Sequence, residues 1–214
     1  MNTSNIEEIL PLSPMQQGML YHSLLAPDAG VYFEQTSWTL TGSLNIDTFK
    51  QAWQMVVDRH MALRAGCVWE GLDEPLQIIY RQVEVPFIYK DWSELDPAGI
   101  DGSLEQFFEE ERAKGFDLSD PPLMRLALLR LKPDQFVFLW SHHHLLLDGW
   151  SQPLILADFA YFYDQLVQGA RPVLRAPRPY RDYIAWLKQQ DQARAEQDWR
   201  AELEGFSAPI SFNF

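Results

Sequence analysis

The sequence predicts an α/β (α+β) fold, a two-layer sandwich in which a mixed sheet is flanked by helices. Three observations favour this class. Of the 214 residues, 47% are hydrophobic, which is typical of a globular protein and too high for a disordered one. A chain of this length can bury about 70% of the surface that it exposes when unfolded. Segments with the periodicity of helices alternate along it with apolar runs typical of strands.

Helices are predicted for five segments by amphipathic spacing and by start and stop signals. Ser13 and Pro14 form a typical helix start, because a hydroxyl that can cap the helix precedes a proline at the first helical position. In the second segment, apolar residues recur three and four positions apart, which predicts one buried face. The predicted helices are 15–25, 49–57, 104–114, 151–168 and 180–203, the last as one or two helices.

Strands are predicted where aromatic, β-branched and other apolar residues cluster between turn signals. Gly71 and Asp73 separate two such runs. Residues 132–134 join two more into a hairpin of buried strands. The predicted strands are 32–40, 63–69, 76–85, 123–131 and 135–140.

The charge of the chain restricts its partners. Thirty acidic and seventeen basic residues give a formal net charge of −13. A nucleic-acid partner requires concentrated Lys and Arg to neutralise phosphates, and an anionic membrane surface attracts the same residues. We therefore expect neither a nucleic acid nor a membrane among the partners.

The cysteine content and the N-terminal residues indicate a cytoplasmic protein. Cys67 is the sole cysteine, so the chain cannot form an internal disulfide, as expected in a reducing compartment. The first residues lack the basic and apolar regions of a signal peptide. No run approaches the roughly 18 apolar residues of a membrane span.

The most informative segment is SHHHLLLDGWS at residues 141–151, which directly follows a predicted buried strand. If the strand continues into this segment, neighbouring histidines point to opposite faces. One histidine can then face a cavity while the next supports it from the other side. Asp148 is followed by Gly149, which permits a tight turn into the next helix.

Three interpretations of the histidines are open at this point. The first is a metal site, although the spacing fits neither a zincin helix nor a complete set of two histidines and a carboxylate. The second is a strand end whose histidines hydrogen-bond the backbone. The third is a general base, because histidine titrates near neutrality. No Gly-x-Ser-x-Gly motif accompanies it, and a base without a protein nucleophile indicates direct transfer between two bound substrates.

Residues 143–149, HHLLLDG, resemble the HHxxxDG signature of the chloramphenicol-acetyltransferase-like acyltransferases. Three further segments are similar to motifs of the condensation domains of nonribosomal peptide synthetases. Residues 12–21, LSPMQQGMLY, resemble the opening motif. Residues 59–64, RHMALR, resemble RHExLR, with Met61 in place of Glu. Residues 180–186, YRDYIAW, resemble YxDxxxW, so four ordered motifs span nearly the whole chain.

The resemblance implies a chloramphenicol-acetyltransferase-like lobe and a division of the chain. Residues 1–204 correspond to the N-terminal, donor-side lobe, and residues 205–214 to a tail or to the start of the linker between lobes. Nothing in the chain resembles the second lobe of such a domain, so we expect this lobe alone to be incomplete for catalysis. Met1 lies shortly before the opening motif, and the module is therefore expected to begin its polypeptide.

The resemblance also implies a reaction. The amine of an acceptor aminoacyl thioester attacks the thioester carbonyl of a donor, and an amide forms. Both substrates are carried on the phosphopantetheine of carrier proteins, so no cofactor is expected to bind the chain directly. His144 takes the position of the reacting histidine, as a general base or as a group that positions the amine. His143 supports it, and the backbone N–H of Gly149 is placed to help bind the oxyanion.

Structural and substrate-lining roles follow from the same resemblance. Asp148 is expected to form a salt bridge with Arg64 that shapes the loop, since a buried carboxylate without a partner is costly. Tyr21, Trp150 and Ser151 are candidates for the lining of the substrate tunnel, although core packing is the favoured role of Trp150.

The implied partners are donor and acceptor peptidyl carrier proteins, the C-terminal lobe of the domain and an adjacent adenylation domain. The opening motif resembles that of domains whose donor ends in a D-residue. Two other functions remain open. One is a non-catalytic unit that docks a carrier protein or another lobe, and the other is a free-standing acyltransferase that uses coenzyme A.

Overall fold

A four-stranded sheet forms the centre of the protein, and a second sheet has three strands. The computed structural model of the protein describes residues 3–207. The strands are β1 (Ile6–Pro11), β2 (Phe33–Thr41), β3 (Ala65–Val68), β4 (Leu76–Tyr80), β5 (Phe87–Asp91), β6 (Met124–Lys132) and β7 (Gln135–His143). The helices are α1 (Pro14–Leu25), α2 (Ile46–Arg59), α3 (Ile100–Ala113), α4 (Gln152–Val167), α5 (Tyr180–Leu187) and α6 (Gln192–Glu202).

The larger sheet has the strand order β2-β7-β6-β5. Strand β7 pairs antiparallel with β2 and with β6, whereas the edge strand β5 runs parallel to β6. The sheet is therefore mixed and helices flank it, which confirms the predicted fold class. The smaller sheet has the order β1-β4-β3 and is antiparallel throughout.

The main core lies between one face of the larger sheet and helices α2 and α4. Trp53 of α2 is fully buried. Its ring centroid lies 5.2 Å from that of Trp140 on β7 and 4.8 Å from that of Phe159 on α4. Phe49 of α2 contacts Phe138 of β7 edge to face at 5.1 Å. Because such aromatic contacts add to the free energy gained by burial, they hold both helices firmly against β7.

Helix α3 covers the opposite face of the larger sheet. Phe107 packs there against the buried side chains of Leu129 and Leu139. The carboxylate of the buried Glu111 lies 3.3 Å from Nε of Arg125 on β6, and the guanidinium also donates to the carbonyl oxygen of Glu111 at 2.7 Å. A buried charge requires such a partner, so this pair fixes the end of α3 on the sheet.

Most predicted elements are present. The five helical segments are confirmed, and the last of them divides into α5 and α6. The predicted strand 63–69 is shorter than expected, because a 3-10 turn occupies Met61–Arg64 and β3 begins only at Ala65. The predicted strand 135–140 is longer than expected, because β7 continues to His143.

Two strands escape the sequence analysis. Strand β1 contains two glutamates and an irregular register between Ile6 and Glu8, so its sequence does not alternate cleanly between apolar and polar residues. Strand β5 is a short edge strand that ends in Lys90 and Asp91. Charged ends are usual on edge strands, and they remove the apolar pattern by which a strand is found.

Helix α6 is the last described element of the chain and ends at Glu202. The predicted tail or linker at 205–214 lies largely outside the described residues, which end at 207. None of the described helices has both the length and the apolar character required to cross a bilayer.

The position of Gly66 on β3 gives a test of the packing. A Cβ atom there would lie 2.9 Å from Cδ of Pro121 and 3.1 Å from the carbonyl oxygen of Ser119. We expect Gly66→Ala to lower the free energy of unfolding by about 1–3 kcal/mol, because the site is already filled. Gly102→Ala is the matched control, since Gly102 lies in α3 with no atom near its Cβ position. It should raise stability by about 0.5–1 kcal/mol, and equal urea midpoints for the two variants would contradict the argument.

His142 is buried in the main core. Its ring centroid lies 4.9 Å from that of Trp140, on the same side of β7. Neither ring nitrogen has a hydrogen-bond partner among the described residues. Burial, with smaller contributions from His144 and His143, lowers the pKa of His142 to about 4. The ring is therefore neutral in the folded protein at neutral pH.

The burial of His142 predicts a pH dependence of stability. The unfolded chain protonates this ring below its ordinary pKa of 6.5, but the folded chain only near 4. The unfolded state therefore binds more protons between these values, and stability should fall as the pH decreases from 6.5 to 4, by about 3 kcal/mol from this residue. His142→Phe should flatten the dependence, whereas the exposed control His22→Phe should not. The stability of both proteins is measured by urea unfolding at pH 7.5, 6 and 5. An equal loss of stability with falling pH in wild type and His142→Phe would contradict the prediction.

Candidate active site at the end of strand β7

Strand β7 carries three consecutive histidines to one end of the larger sheet. The strand ends at His143, and His144 is the next residue. His142 and His143 are buried, whereas 29% of the His144 side chain is exposed. His144 is therefore the histidine of this group that an incoming molecule can reach.

His143 is held as a neutral ring by two hydrogen bonds. Its Nδ1 accepts from the backbone N–H of Leu145 at 3.2 Å, so the ring proton lies on Nε2. Nε2 is 3.2 Å from the hydroxyl oxygen of Ser23, and Ser23 donates onward to the carbonyl oxygen of Met19 on α1 at 2.8 Å. Burial, and to a smaller extent His144, lowers the pKa of His143 to about 4. His143 therefore supports the loop from behind and does not titrate near neutrality.

His144 is positioned by the neighbouring strand β2. Its backbone N–H donates to the carbonyl oxygen of Tyr32 at 2.9 Å. Tyr32 has a φ of 65°, which is unusual for a bulky residue and marks local strain. The ring atom Nδ1 of His144 lies 3.6 Å from Oε1 of Glu34. Backbone and ring of His144 are therefore both oriented by the first residues of β2 and the turn before it.

A cavity of about 750 Å³ lies beside His144. Its walls come from the start of α1, the turn Met61–Arg64, the loop after β7 and the first turns of α4 and α5. Most of the lining surface is apolar, although about half of the lining residues carry polar or charged side chains. The apolar lining includes Met15, Met19, Leu146, Leu154 and Pro179. The polar lining includes Gln16, Arg59, His60, Ser151 and Tyr180.

The side chain of Gln16 connects the loop after His144 to three other elements. It completes a capping box at the start of α1, in which Oε1 accepts from the Ser13 N–H at 3.0 Å. Its Nε2 donates to the carbonyl oxygen of Leu145 at 3.1 Å. Oε1 also accepts from Gln77 on β4 at 3.3 Å and from the hydroxyl of Tyr180 on α5 at 3.1 Å. One amide thus fixes the loop relative to both sheets.

The prediction of a salt bridge between Asp148 and Arg64 is wrong. The carboxylate of Asp148 accepts from the hydroxyl and the backbone N–H of Ser151 at 2.7 and 2.9 Å, and these bonds, the hydroxyl first, lower its pKa. The turn therefore satisfies this carboxylate locally, and Asp148 is exposed.

The partners of Arg64 lie on β1, β4 and α2. It is 5% exposed, and its guanidinium lies 2.6 Å from the carboxylate of Glu7 on β1. Nε also donates to the carbonyl oxygen of Val57 at 3.2 Å, and NH1 donates to the carbonyl oxygen of Tyr80. Arg64 therefore ties β1 to β4 and α2, because its buried charge finds its partners there.

The expected tunnel residues are found in different places. Ser151 lines the cavity. Tyr21 is 62% exposed and Trp150 is 89% exposed, and neither belongs to the cavity lining. The interpretation of Trp150 as a core residue is therefore wrong. Gly149 lies in the exposed turn between Asp148 and Trp150, with open space around its Cα.

The first two residues of RHMALR form a charged cluster at the cavity wall. Nε of Arg59 and Nε2 of His60 both lie 2.7 Å from the same carboxylate oxygen of Asp158 on α4. Arg59 also donates to the carbonyl oxygen of Arg175 at 2.7 Å. Burial lowers the pKa of His60, although Asp158 opposes the shift. The cluster therefore fastens the end of α2 to α4 and to the segment before α5.

Sequence reasoning missed four residues that hold the site together. Ser23, Tyr32 and Glu34 lie far from the histidines along the chain and carry no motif, so only the fold and the strand register bring them close. Gln16 gives a detectable signal, because Ser13 followed three residues later by Gln is the sequence pattern of a capping box.

His144 is a candidate for proton transfer at the cavity, whereas Cys67 is not a candidate nucleophile. Burial raises the pKa of the sole cysteine, Cys67, to about 12, so its thiol is a poor nucleophile. Within residues 3–207, no group of three or more His, Cys, Asp or Glu side chains is arranged to hold a metal ion. His144 is the group that can exchange a proton with a molecule in the cavity.

Comparison with known sequences gives extended matches. Residues 6–212 match the family model of the Condensation domain. The linear gramicidin synthase of Brevibacillus parabrevis includes a protein that is 41% identical over 210 residues, which cover 98% of this chain and 3% of that protein. Bacitracin synthase 3 of Bacillus licheniformis is 37% identical over 208 residues, which cover 96% of this chain and 3% of that protein.

Solved structures show the same fold. The starter condensation domain of rhizomide synthetase RzmA superposes with a TM-score of 0.79 at 23% identity, covering 97% of this chain and 52% of that one. The first condensation domain of the calcium-dependent antibiotic synthetase, solved with a substrate analogue, gives 0.83 at 20% identity, covering 96% and 51%. The chain thus spans about half the length of these solved domains.

The family model covers nearly all of the chain and contains the four motifs and the histidine site. The named relatives are synthases of linear gramicidin and of bacitracin. The chain therefore belongs to the condensation-domain family of nonribosomal peptide synthetases.

Proposed function

We propose that the protein is the donor-side, N-terminal lobe of a condensation domain that joins two carrier-bound substrates through an amide bond. The observation that carries this proposal is the position of His144. It is the most accessible of the three consecutive histidines, it lines the cavity, and its backbone N–H is bound by Tyr32 at 2.9 Å. A histidine so placed can accept a proton from a bound amine.

The proposed reaction uses His144 as the proton acceptor. The acceptor amine attacks the carbonyl carbon of the donor thioester, and a C–N bond forms. A proton passes from the amine to Nε2 of His144. The C–S bond then breaks, and the departing phosphopantetheine thiolate takes a proton, which restores neutral His144. The N–H of Gly149, in the exposed turn, is proposed to donate to the oxyanion of the intermediate.

The remaining site residues are assigned supporting roles. His143 stays neutral and holds the loop through Leu145 and Ser23. Asp148 shapes the turn through Ser151, and Arg64 stabilises the smaller sheet through Glu7. These structural roles do not require the two residues to contact each other.

A second lobe is proposed to complete the site, whether on the same polypeptide or on another. Several large apolar side chains are exposed on α1, in the turn after β7 and on α4 and α5, and exposed apolar surface of this kind often marks an interaction site. They are Met15, Tyr21, Trp150, Leu154 and Trp186. In the complete domain Tyr21 and Trp150 would line the tunnel, and this lobe without its partner would be incomplete for catalysis.

The proposed partners are donor and acceptor carrier proteins with phosphopantetheine arms, and an adjacent adenylation domain, in the cytoplasm. The donor is proposed to end in a D-residue, which rests on the form of the opening motif at 12–21. The same exposed apolar residues also favour a second candidate, a non-catalytic unit that docks a carrier protein or another lobe.

The proposed function predicts a reaction that depends on His144. The chain is mixed with the C-terminal lobe of a related condensation domain, an acceptor carrier and a donor carrier loaded with either epimer. We expect amide product, faster with the D-epimer, and a loss of about 10²–10⁴-fold in rate for His144→Ala, because the proton acceptor is removed. Product is quantified by mass spectrometry of the acceptor carrier.

His22→Ala is the control, since it removes an exposed histidine on α1 and should leave the rate unchanged. Binding of the lobe or carriers without product in any arm would support the docking unit and overturn the enzymatic proposal. Product formed from coenzyme A thioesters but not from loaded carriers would instead indicate a free-standing acyltransferase.

The support of His143 by Ser23 gives a separate prediction. Ser23→Ala leaves the buried Nε2–H of His143 without its acceptor. We expect the free energy of unfolding to fall by about 1–2 kcal/mol, and the condensation rate to fall with it. Ser43→Ala, in an exposed turn before α2, should change neither quantity. Urea unfolding is the measurement, and equal stability of the two variants would contradict the proposed tautomer of His143.

A further inference from the structure

The ring of His144 has an unsatisfied buried atom. Its Nδ1 is inaccessible to solvent and has no partner within hydrogen-bond distance among the described residues. A buried ring nitrogen without a partner is costly, whether it carries a proton or a lone pair. The carboxylate of Glu34 lies 3.6 Å away, just beyond the length of a hydrogen bond.

The strand register places Glu34 beside His144. In the ladder between β2 and β7, Glu34 is opposite His142, two residues before His144. The bond from the His144 N–H to Tyr32 extends this ladder by one residue. Glu34 and His144 are thus diagonal neighbours on one face of the sheet, and a side chain as long as Glu reaches across such a diagonal.

We propose that Glu34 is a positioning residue that holds the ring proton of His144 on Nδ1 and so leaves Nε2 free as the proton acceptor. The proposal deepens the proposed function and rests on it. A neutral imidazole has one N–H, and a carboxylate accepts it. Hydrogen bonds at catalytic groups are often long before substrate binds and shorten in the complex, so the distance of 3.6 Å is compatible with this role.

Glu34 also compensates the charge that develops during the reaction. When Nε2 takes the proton of the attacking amine, the ring of His144 becomes a cation. A carboxylate at Nδ1 stabilises this cation, as in other histidine–carboxylate pairs. The proton leaves Nε2 again when the C–S bond breaks and the thiolate is protonated, so Glu34 itself gains and loses no proton.

Other acidic side chains of the site are already engaged. Asp148 is bound by Ser151 within its own turn, and Glu7 is paired with Arg64. Among the described residues, Glu34 makes no other side-chain hydrogen bond or ion pair, apart from its contact with His144. Its carboxylate is therefore free for this one task.

The first test measures the tautomer of His144 and needs no product. Long-range ¹H–¹⁵N spectra of the ¹⁵N-histidine-labelled chain are recorded at pH 8.5, with His144 assigned by its absence in His144→Gln. We expect the Nδ1–H form in wild type. In Glu34→Ala the buried Nδ1–H loses its acceptor, and the proton should move to Nε2, the other nitrogen of the ring.

Glu84→Ala is the matched control, because it removes an exposed glutamate whose partner is Lys50, and it should leave the His144 signals unchanged. The Nε2–H form in wild type, or an unchanged tautomer in Glu34→Ala, would overturn the proposal. Because this measurement is independent of catalysis, it decides the role of Glu34 even where the condensation reaction fails.

The second test uses the reconstituted condensation reaction. Glu34→Ala should lower kcat by about 10- to 100-fold with little change in KM for either carrier, because the ring is misoriented and its cation unsupported. Glu34→Asp, which retains the carboxylate, should recover part of this loss. An increase in KM without a fall in kcat, or no recovery with Asp, would indicate a structural contact and would overturn the positioning role.

Discussion

Strand β7 is hydrogen-bonded along both edges, to β2 and to β6, and this pairing fixes the direction of every side chain on it. Trp140 and His142 point into the core under α2 and α4, while Leu139 faces α3. A slip of one residue would exchange the two faces. The register therefore determines on which face of the sheet each histidine at the end of β7 lies.

His144, the proposed proton acceptor, is positioned mainly by elements other than its own loop. Tyr32 holds its backbone, Glu34 lies at its ring, and Ser23 fixes the histidine before it. Asp148 binds Ser151 within its own turn, and Arg64 binds Glu7 of the smaller sheet. The position of His144 is thus set by α1 and β2, which are rigid elements packed on the core.

The sequence allowed the mixed sheet, the five helical segments and the position of His144 to be predicted, because periodicity and contiguous motifs are local properties. Strands β1 and β5 were not predicted, since charged residues obscure their patterns. Glu34 and Ser23 could not be found either, because their approach to the histidines depends on the register of β2 and on the docking of α1. The exposure of Trp150 was not predicted, because the sequence around an aromatic residue does not show whether other side chains cover it.

The amide of Gln16 has a consequence for the order of folding. Its bond to Leu145 joins residues 129 positions apart, and its bond to Tyr180 joins residues 164 apart. Contacts of such long sequence separation form late, because the chain entropy of closing the loop must be overcome first. During synthesis, Gln16 can therefore bind Leu145 and Tyr180 only after most of the chain has emerged from the ribosome. The contacts that join the opening motif to the loop after His144 and to α5 are thus among the late steps of folding.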